Sequence, residues 1–513
     1  MGRGPAAPYQ EDMTPDPTLR PSPRPPTGAA PTKVRLLGVD AARGVALLGM
    51  MAVHSFSETT ATGAPSFTQL VAGGRSAALF AVLAGVAIAF MTGRRRVVRG
   101  PSGRAAVATL LVRAGVIGVV GVVGLGWIDA ETGIAVILPA YAVMFLLAIP
   151  LVFLPTRTVL VIGAVVAVVM PFVSQVLRAG LPPGSGDNIA FGSLVDDPVG
   201  VVLELLLTGA YPALTWMAYI AVGLGVGRLT LSSARVAGTL LGVGASLAVA
   251  APVLSWALLG PLGGAARLTA ASGLDPVTVT DILTLGPDGA VPPGDVWWLA
   301  VATPHSGTPL DLAATIGSSL AVLGAFLLLG HLPAALRRVT DAVQAPLVAA
   351  GSMTLTLYTL HAAFTGSDLA QGDSVPEYVG QALVLVAAAS LWRRRFSRGP
   401  LEAVAGTLAS RAAAAAGRAD GVPAPTQPPV PSPASPLDAP TGPIRGLPVP
   451  PPGPPGPPGP PRLRPPRRPD SLPLDPFVPA PRRPAPDPGV GPAPGPAVGP
   501  PAAAWPPPVS GRR

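Results

Sequence analysis

The sequence has no cysteine among its 513 residues, which rules out disulfides, thiolate metal sites and a cysteine nucleophile. Lysine is nearly missing as well: Lys33 stands alone, so the net charge of +9 rests almost wholly on arginine. Charged residues make up only 12% of the chain and aromatic ones 5%. The arginines flank apolar runs instead of gathering, with interleaved aromatics, on one soluble face, so no nucleic acid partner is expected. The first 34 residues are proline-rich and lack an apolar stretch. They do not read as a cleavable leader, and the first apolar run is expected to stay as an anchor.

What the chain does hold is of two kinds. Hydrophobic residues account for 49%, with 61 glycines and 68 prolines beside them. Apolar runs of about twenty residues, long enough to cross a bilayer, recur roughly ten times. They lie near 36–56, 69–91, 105–126, 132–154, 158–178, 203–228, 236–260, 312–332, 346–366 and 376–392. The expected fold is all-α, a polytopic membrane bundle of about ten transmembrane helices spanning residues 35–405. A disordered N-terminus (1–34) precedes it and a Pro/Gly/Ala-rich disordered tail (406–513) follows, with a short surface helix read at Leu401–Ala416.

The connecting segments alternate in charge. Arg20, Arg24, Lys33 and Arg35 precede the first run; Arg94, Arg95, Arg96, Arg99 and Arg104 follow the second; Arg157, Arg228, Arg235, Arg337, Arg338 and Arg393 to Arg395 continue the series. The segments between carry Glu58, Asp129, Glu131, Asp187, Asp196, Asp197, Asp368, Asp373 and Glu377, with Arg178 and Arg267 as the departures. Because positive loops stay in the cytoplasm, both termini are expected there, in a multi-pass protein of the cell membrane. That orientation puts His54, His305 and His361 on the outer side and His331 at an inner helix end.

The first run carries Asp40, Arg43 and His54. With Leu47 and Met50 they step by three and four, which stacks all five on one helical face. A charge at bilayer depth costs roughly 2.5–3.5 kcal/mol, so this face is expected to look into protein, with Asp40 as the structural partner of Arg43. Arg43 and His54 then share an azimuth about 16 Å apart in depth. In the second run Arg75 lies about 9 Å below the outer surface. Gly73 and Gly74 beside it admit close approach of a helix or a ligand. The ninth run places Tyr358 and His361 one turn apart. The long segment 261–311 holds Trp297 and Trp298, expected as interface anchors, and His305, within a stretch able to cap an outer-facing cavity.

The pattern Asp40-x-x-Arg43-Gly44 followed by His54 resembles the transmembrane acyltransferase superfamily. That group includes the membrane acyltransferase-3 proteins, the heparan-α-glucosaminide N-acetyltransferase catalytic domain and the YeiB-like family. Similarity to the YeiB-like family is carried by Tyr211-Pro-Ala-Leu-Thr-Trp216, Gly223-x-Gly225-x-Gly227-Arg228, Pro304-His305-Ser-Gly307, Gly351-Ser-Met-Thr-Leu-Thr-Leu-Tyr358 and Phe396-Ser-Arg-Gly399-Pro400-Leu401-Glu402, in that order across residues 35–405. The resemblance implies transfer of an acyl group, acetyl in the first instance, from cytoplasmic acyl-CoA to a glycan, lipid or small-molecule acceptor beyond the membrane. On this reading Arg43 and His54 are catalytic, and Arg75, Tyr358, His361 and His305 serve the acceptor or the oxyanion. Arg94, Arg95, Arg96 and Arg99 hold the donor's phosphates; no metal is expected. The heparan enzyme's catalytic histidine sits in the loop after its first span, whereas Ser57 to Thr68 holds none, so histidine placement here follows the acyltransferase-3 pattern. A transporter or flippase of an envelope precursor, and a scaffold whose tail recruits partners, are the alternatives.

Overall fold

The structure is a computed structural model that describes Gly2 and residues 36–418, apart from positions 130, 131, 288, 371 and 373. The expectations for the N-terminal segment before Leu36 and for the tail beyond Arg418, with Glu131 and Asp373, lie outside the described residues. Contacts divide the chain into two units, Met1–Pro428 and Pro429–Arg513, and every helix below belongs to the first.

The chain runs through α1 (Leu37–Ser55), α2 (Phe67–Ala72), α3 (Arg75–Met91), α4 (Pro101–Val119, continued by a π turn to Gly124), α5 (Leu138–Leu147) and α6 (Thr156–Arg178). It continues through α7 (Phe191–Asp196), α8 (Pro198–Leu203), α9 (Ala213–Gly227), α10 (Ala234–Leu259), α11 (Gly264–Ala271) and α12 (Pro276–Thr284). It closes with α13 (Pro309–Leu329), α14 (Ala334–Gly351), α15 (Thr354–Thr365), α16 (Val375–Arg395) and α17 (Pro400–Arg418). No strand occurs among the described residues beyond one isolated bridge, Thr59 to Pro65. Seven helices are long and apolar enough to cross a membrane, and two bent pairs, Pro198–Thr208 with Ala213–Gly227 and Ala334–Gly351 with Thr354–Thr365, raise the number to nine. The remaining expected run, the fourth (132–154), is the shorter apolar helix Leu138–Phe153. This is a multi-pass, all-α membrane protein. Helix α17 runs to Arg418, so helical structure continues past the boundary at 405 read from the sequence, and it packs on α4.

Small residues let the helices meet. Lipid tails are as apolar as leucine, so close backbone contact replaces the hydrophobic effect as the force joining helices. On α3 and α9, a Cβ at Gly85 would fall on the Ile220 carbonyl oxygen and one at Gly223 on that of Val82. The outward faces are apolar: Val161, Val165, Val168 and Phe172 of α6 and Val243 and Val253 of α10 are all exposed.

The segment between α10 and α13 is a small folded unit with its own core of Leu268, Val279, Ile282, Val291, Trp298 and Val301. Trp298 is 1% exposed. It is a core residue of this unit and not an interface anchor, because the segment carries enough aliphatic side chains to enclose it. The two arginines that broke the charge alternation fasten the same unit. Arg178, at the end of α6, donates to the Val291 carbonyl (2.6 Å), and Arg267 pairs with Asp295 (3.5 Å).

Candidate functional site

The ninth apolar run is broken. Helix α14 packs along α1 so tightly that a Cβ at Gly351 would coincide with the Asp40 carbonyl oxygen. The chain then turns through Ser352 and Met353, and α15 leaves at 71° to α14. The first amides of the new helix need acceptors. Glu402 of α17 supplies them, its carboxylate accepting from Leu355 N–H (2.7 Å), Thr356 N–H (3.2 Å) and the Thr356 hydroxyl (2.6 Å). The motifs Gly351-Ser-Met-Thr and Gly399-Pro-Leu-Glu402, far apart in sequence, thus form one joint.

The joint aims α15 across the end of α1. His361, fully buried, brings Nε2 to 3.1 Å from Nδ1 of His54. The two rings are parallel within 2° with centres 5.3 Å apart. That separation is the N···N distance plus one ring radius at each side, so the imidazoles lie end to end in a shared plane with in-line hydrogen-bond geometry. The other nitrogen of His361, Nδ1, meets Gln381 Oε1 on α16 at 2.8 Å and Thr365 Oγ1 at 3.3 Å.

Below the pair, toward Arg43, lies a cavity of about 180 Å³. Its walls are mainly apolar, with Phe80, Ala84 and Met91 from α3, Ile117 from α4 and Phe145 from α5, while Arg43, Arg113 and Glu402 supply charge. Met50 and Tyr358 line it too, and each stands one turn from a histidine of the pair. Neither histidine is itself a wall residue. Arg43 pairs with Asp40 at 4.0 Å. The Tyr141 hydroxyl is buried against the cavity with no hydrogen-bond partner among the described residues, as is Nε of Arg113.

Arg75 and His305 belong to a second cluster. Gly74 takes a left-handed conformation (φ 63°) that separates α2 from α3, and a Cβ there would lie 3.2 Å from Pro304. Arg75 opens α3 and donates to the Leu70 carbonyl (2.7 Å). His305, itself left-handed (φ 57°), faces Trp216 in near-parallel at 6.4 Å and meets Tyr211 edge-on at 5.6 Å. Asp311, 4% exposed at the start of α13, accepts from Gly307 N–H (3.0 Å) and lies within electrostatic reach of Arg75. His305 is within such reach of His54.

The arginine-rich segment after α3 does not converge on the cavity. Arg94 donates to the carbonyls of Gly227 (3.4 Å) and Leu229 (2.8 Å), and Arg96 to that of Phe153 (2.8 Å). Arg95 and Arg99 are exposed, and Arg99 lines a separate groove with Arg104 and Phe153. Sequence reasoning placed Glu402 at the end of a motif without giving it a role, and missed Arg113, Gln381, Tyr141 and Asp311. Of these four only Arg113, a charge inside an apolar run, and Asp311, an acid just ahead of one, carried a local signal. Among the described residues no group of three or more His, Asp or Glu side chains is placed to hold a metal ion.

Residues 35–254 match the family described as heparan-alpha-glucosaminide N-acetyltransferase, catalytic. The match covers less than half of the 513-residue chain. No curated protein matches the chain. The matched segment carries Asp40, Arg43, His54, Arg75 and Tyr141, whereas His305, Asp311, Tyr358, His361, Gln381 and Glu402 come from beyond it. The histidine pair therefore joins the matched segment to the rest of the bundle.

Proposed function

We propose that this protein is a membrane acyltransferase that takes an acyl group from acyl-CoA, acetyl-CoA by the family's chemistry, and delivers it to an acceptor on the opposite side of the membrane. The observation that carries this is the cavity that begins among Arg43, Arg113 and Glu402 and ends at Met50 and Tyr358, one helical turn short of the His54–His361 pair. By the arginine distribution the cavity mouth is cytoplasmic and the histidine pair lies toward the outside. The depth from Arg43 to His54, about 16 Å, is comparable to the length of a pantetheine arm. Guanidinium forks at the mouth suit phosphate oxygens, and exposed Arg95 and Arg99 at the same end are available to the nucleotide.

In the reaction, His54 takes the proton of the acceptor hydroxyl or amine, whose oxygen or nitrogen attacks the thioester carbonyl. The tetrahedral oxyanion receives a hydrogen bond from the Tyr358 phenol, the C–S bond breaks, and the CoA thiolate leaves with the proton from the imidazolium. Arg75, His305 and Asp311 bind the acceptor on the outer side. The test is release of free CoA thiol from acetyl-CoA by purified protein supplied with candidate amino-sugar, hydroxyl-lipid and small-amine acceptors. Turnover abolished in His54→Ala supports the reading; absence of both thiol release and acetyl-CoA binding in the wild type overturns it.

The two bent spans, at 52° and 71°, favour one second reading, since transporters build their sites at broken helices. Flux of a labelled envelope precursor into proteoliposomes without thiol release is the result that selects it.

A further inference from the structure

Gln381 lies on α16, outside the matched segment, in a run with no feature that marks it. Its Oε1 is 2.8 Å from Nδ1 of His361, and the Thr365 hydroxyl oxygen stands 3.3 Å from the same nitrogen. A carbonyl oxygen only accepts, so this contact requires a proton on His361 Nδ1. A neutral imidazole carries one proton, which leaves Nε2 of His361 as a lone pair. That lone pair points in the ring plane at Nδ1 of His54, 3.1 Å away. The space between the two nitrogens holds one proton, and it must come from His54. What remains on His54 is Nε2, bare and able to accept.

We propose that Gln381 is a positioning residue that sets the tautomers of His361 and His54 in series, so that His54 presents Nε2 as the base. Its use in catalysis rests on the acyl-transfer reading; the tautomers themselves do not. When Nε2 takes the acceptor's proton, the bond from His54 Nδ1–H to His361 Nε2 becomes charge-assisted and steadies the imidazolium until the leaving thiolate reclaims the proton. His361 cannot slip away from this task, since it is fully buried and held at both nitrogens. The amide nitrogen of Gln381 has no partner among the described residues, so the His361 contact is the one that fixes the amide. Turning the amide over would send N–H toward His361 Nδ1, reverse each hydrogen bond in the series and leave His54 protonated at Nε2 with nothing to accept with.

The two arrangements are separable by 15N spectroscopy of histidine-labelled full-length protein in lipid bilayers, a tractable experiment because the chain has four histidines. Expected for the wild type are protonated Nδ1 and unprotonated Nε2 on both His54 and His361. In Gln381→Leu the His54 signals move toward the opposite tautomer, and kcat falls on the order of 100-fold while the donor KM stays within about twofold. Gln381→Glu, which keeps an acceptor oxygen, restores the wild-type pattern on His54 and part of the turnover. A wild-type His54 protonated at Nε2, or His54 signals that do not change in Gln381→Leu, overturns the proposal. The expected tautomers in a protein that turns over no acyl donor would uphold the series while sinking the acyl-transfer reading.

Discussion

Glu402 offers the sharpest test of how the site is built. Its carboxylate takes three hydrogen bonds at the start of α15, two from main-chain amides and one from the Thr356 hydroxyl. Each bond to a charged group contributes roughly 1.5–3 kcal/mol, but bonds to one side chain are not additive, and loss of a helix cap costs about 0.5–2 kcal/mol. Glu402→Ala is therefore expected to destabilise by about 2–3 kcal/mol, since the freed amides sit partly buried at the bend. In a chain of this size one kcal/mol moves the midpoint by roughly 1–2 °C, so thermal unfolding in detergent should drop by about 2–6 °C. Glu402→Gln keeps one carbonyl oxygen for the amides bonded by Oε1 and should lose less than half of that. Activity should respond more steeply than stability, because α15 carries both Tyr358 and His361. A 1 Å displacement of positioning groups can cost on the order of 100-fold in rate. Unchanged unfolding in Glu402→Ala, or equal damage in the two variants, would refute the capping argument. Full activity in a destabilised Glu402→Ala would refute the claim that the joint aims the site.

Other outcomes follow from single contacts. Gly351→Ala pushes a methyl onto the Asp40 carbonyl and should cost about 1–3 kcal/mol by thermal unfolding, whereas Gly238→Ala on α10, with open space around its Cβ position, should be neutral or stabilising. Asp311→Ala leaves the Gly307 amide without its acceptor and is expected to destabilise by about 1–3 kcal/mol, with Asp311→Asn, which retains an acceptor oxygen, close to wild type; equal losses would remove the hydrogen bond as the cause. Tyr141→Phe deletes a buried hydroxyl that has no partner among the described residues, so stability should hold or rise by up to about 1 kcal/mol, and a raised donor KM at unchanged stability would mark that hydroxyl as a ligand contact.

Much of the bundle was legible because bilayer-spanning helices announce themselves by length and apolarity. The ten expected runs correspond to the seven spans, the two bent pairs and one short helix. The breaks were harder to see. By sequence Gly74 reads as a point of close approach and Gly351 as the start of a motif, but only the neighbour each one meets, Pro304 or Asp40, shows why the chain bends there. The unit between α10 and α13 was underestimated for a similar reason: its aliphatic residues are scattered over many positions and share no period, so their common core around Trp298 is visible only when folded.

The stripe Asp40, Arg43, Leu47, Met50 and His54 followed from helical periodicity, since residues three and four apart on a helix must share a face whatever surrounds them. So did the expectation that a histidine at its end would need protein around it. What periodicity cannot supply is the partner. His54 and His361 are 307 positions apart, and Glu402 reaches back 46 positions to Thr356. Such contacts depend on how α14 docks on α1 and where the chain bends, which is settled by backbone approach at glycine and by the joint of two distant motifs. The amino-acid order determined which segments cross the membrane and which faces turn inward. Only the packed structure decided that two imidazoles meet in one plane above an apolar cavity, because hydrogen-bond direction is a property of three-dimensional neighbours and leaves no imprint on local spacing.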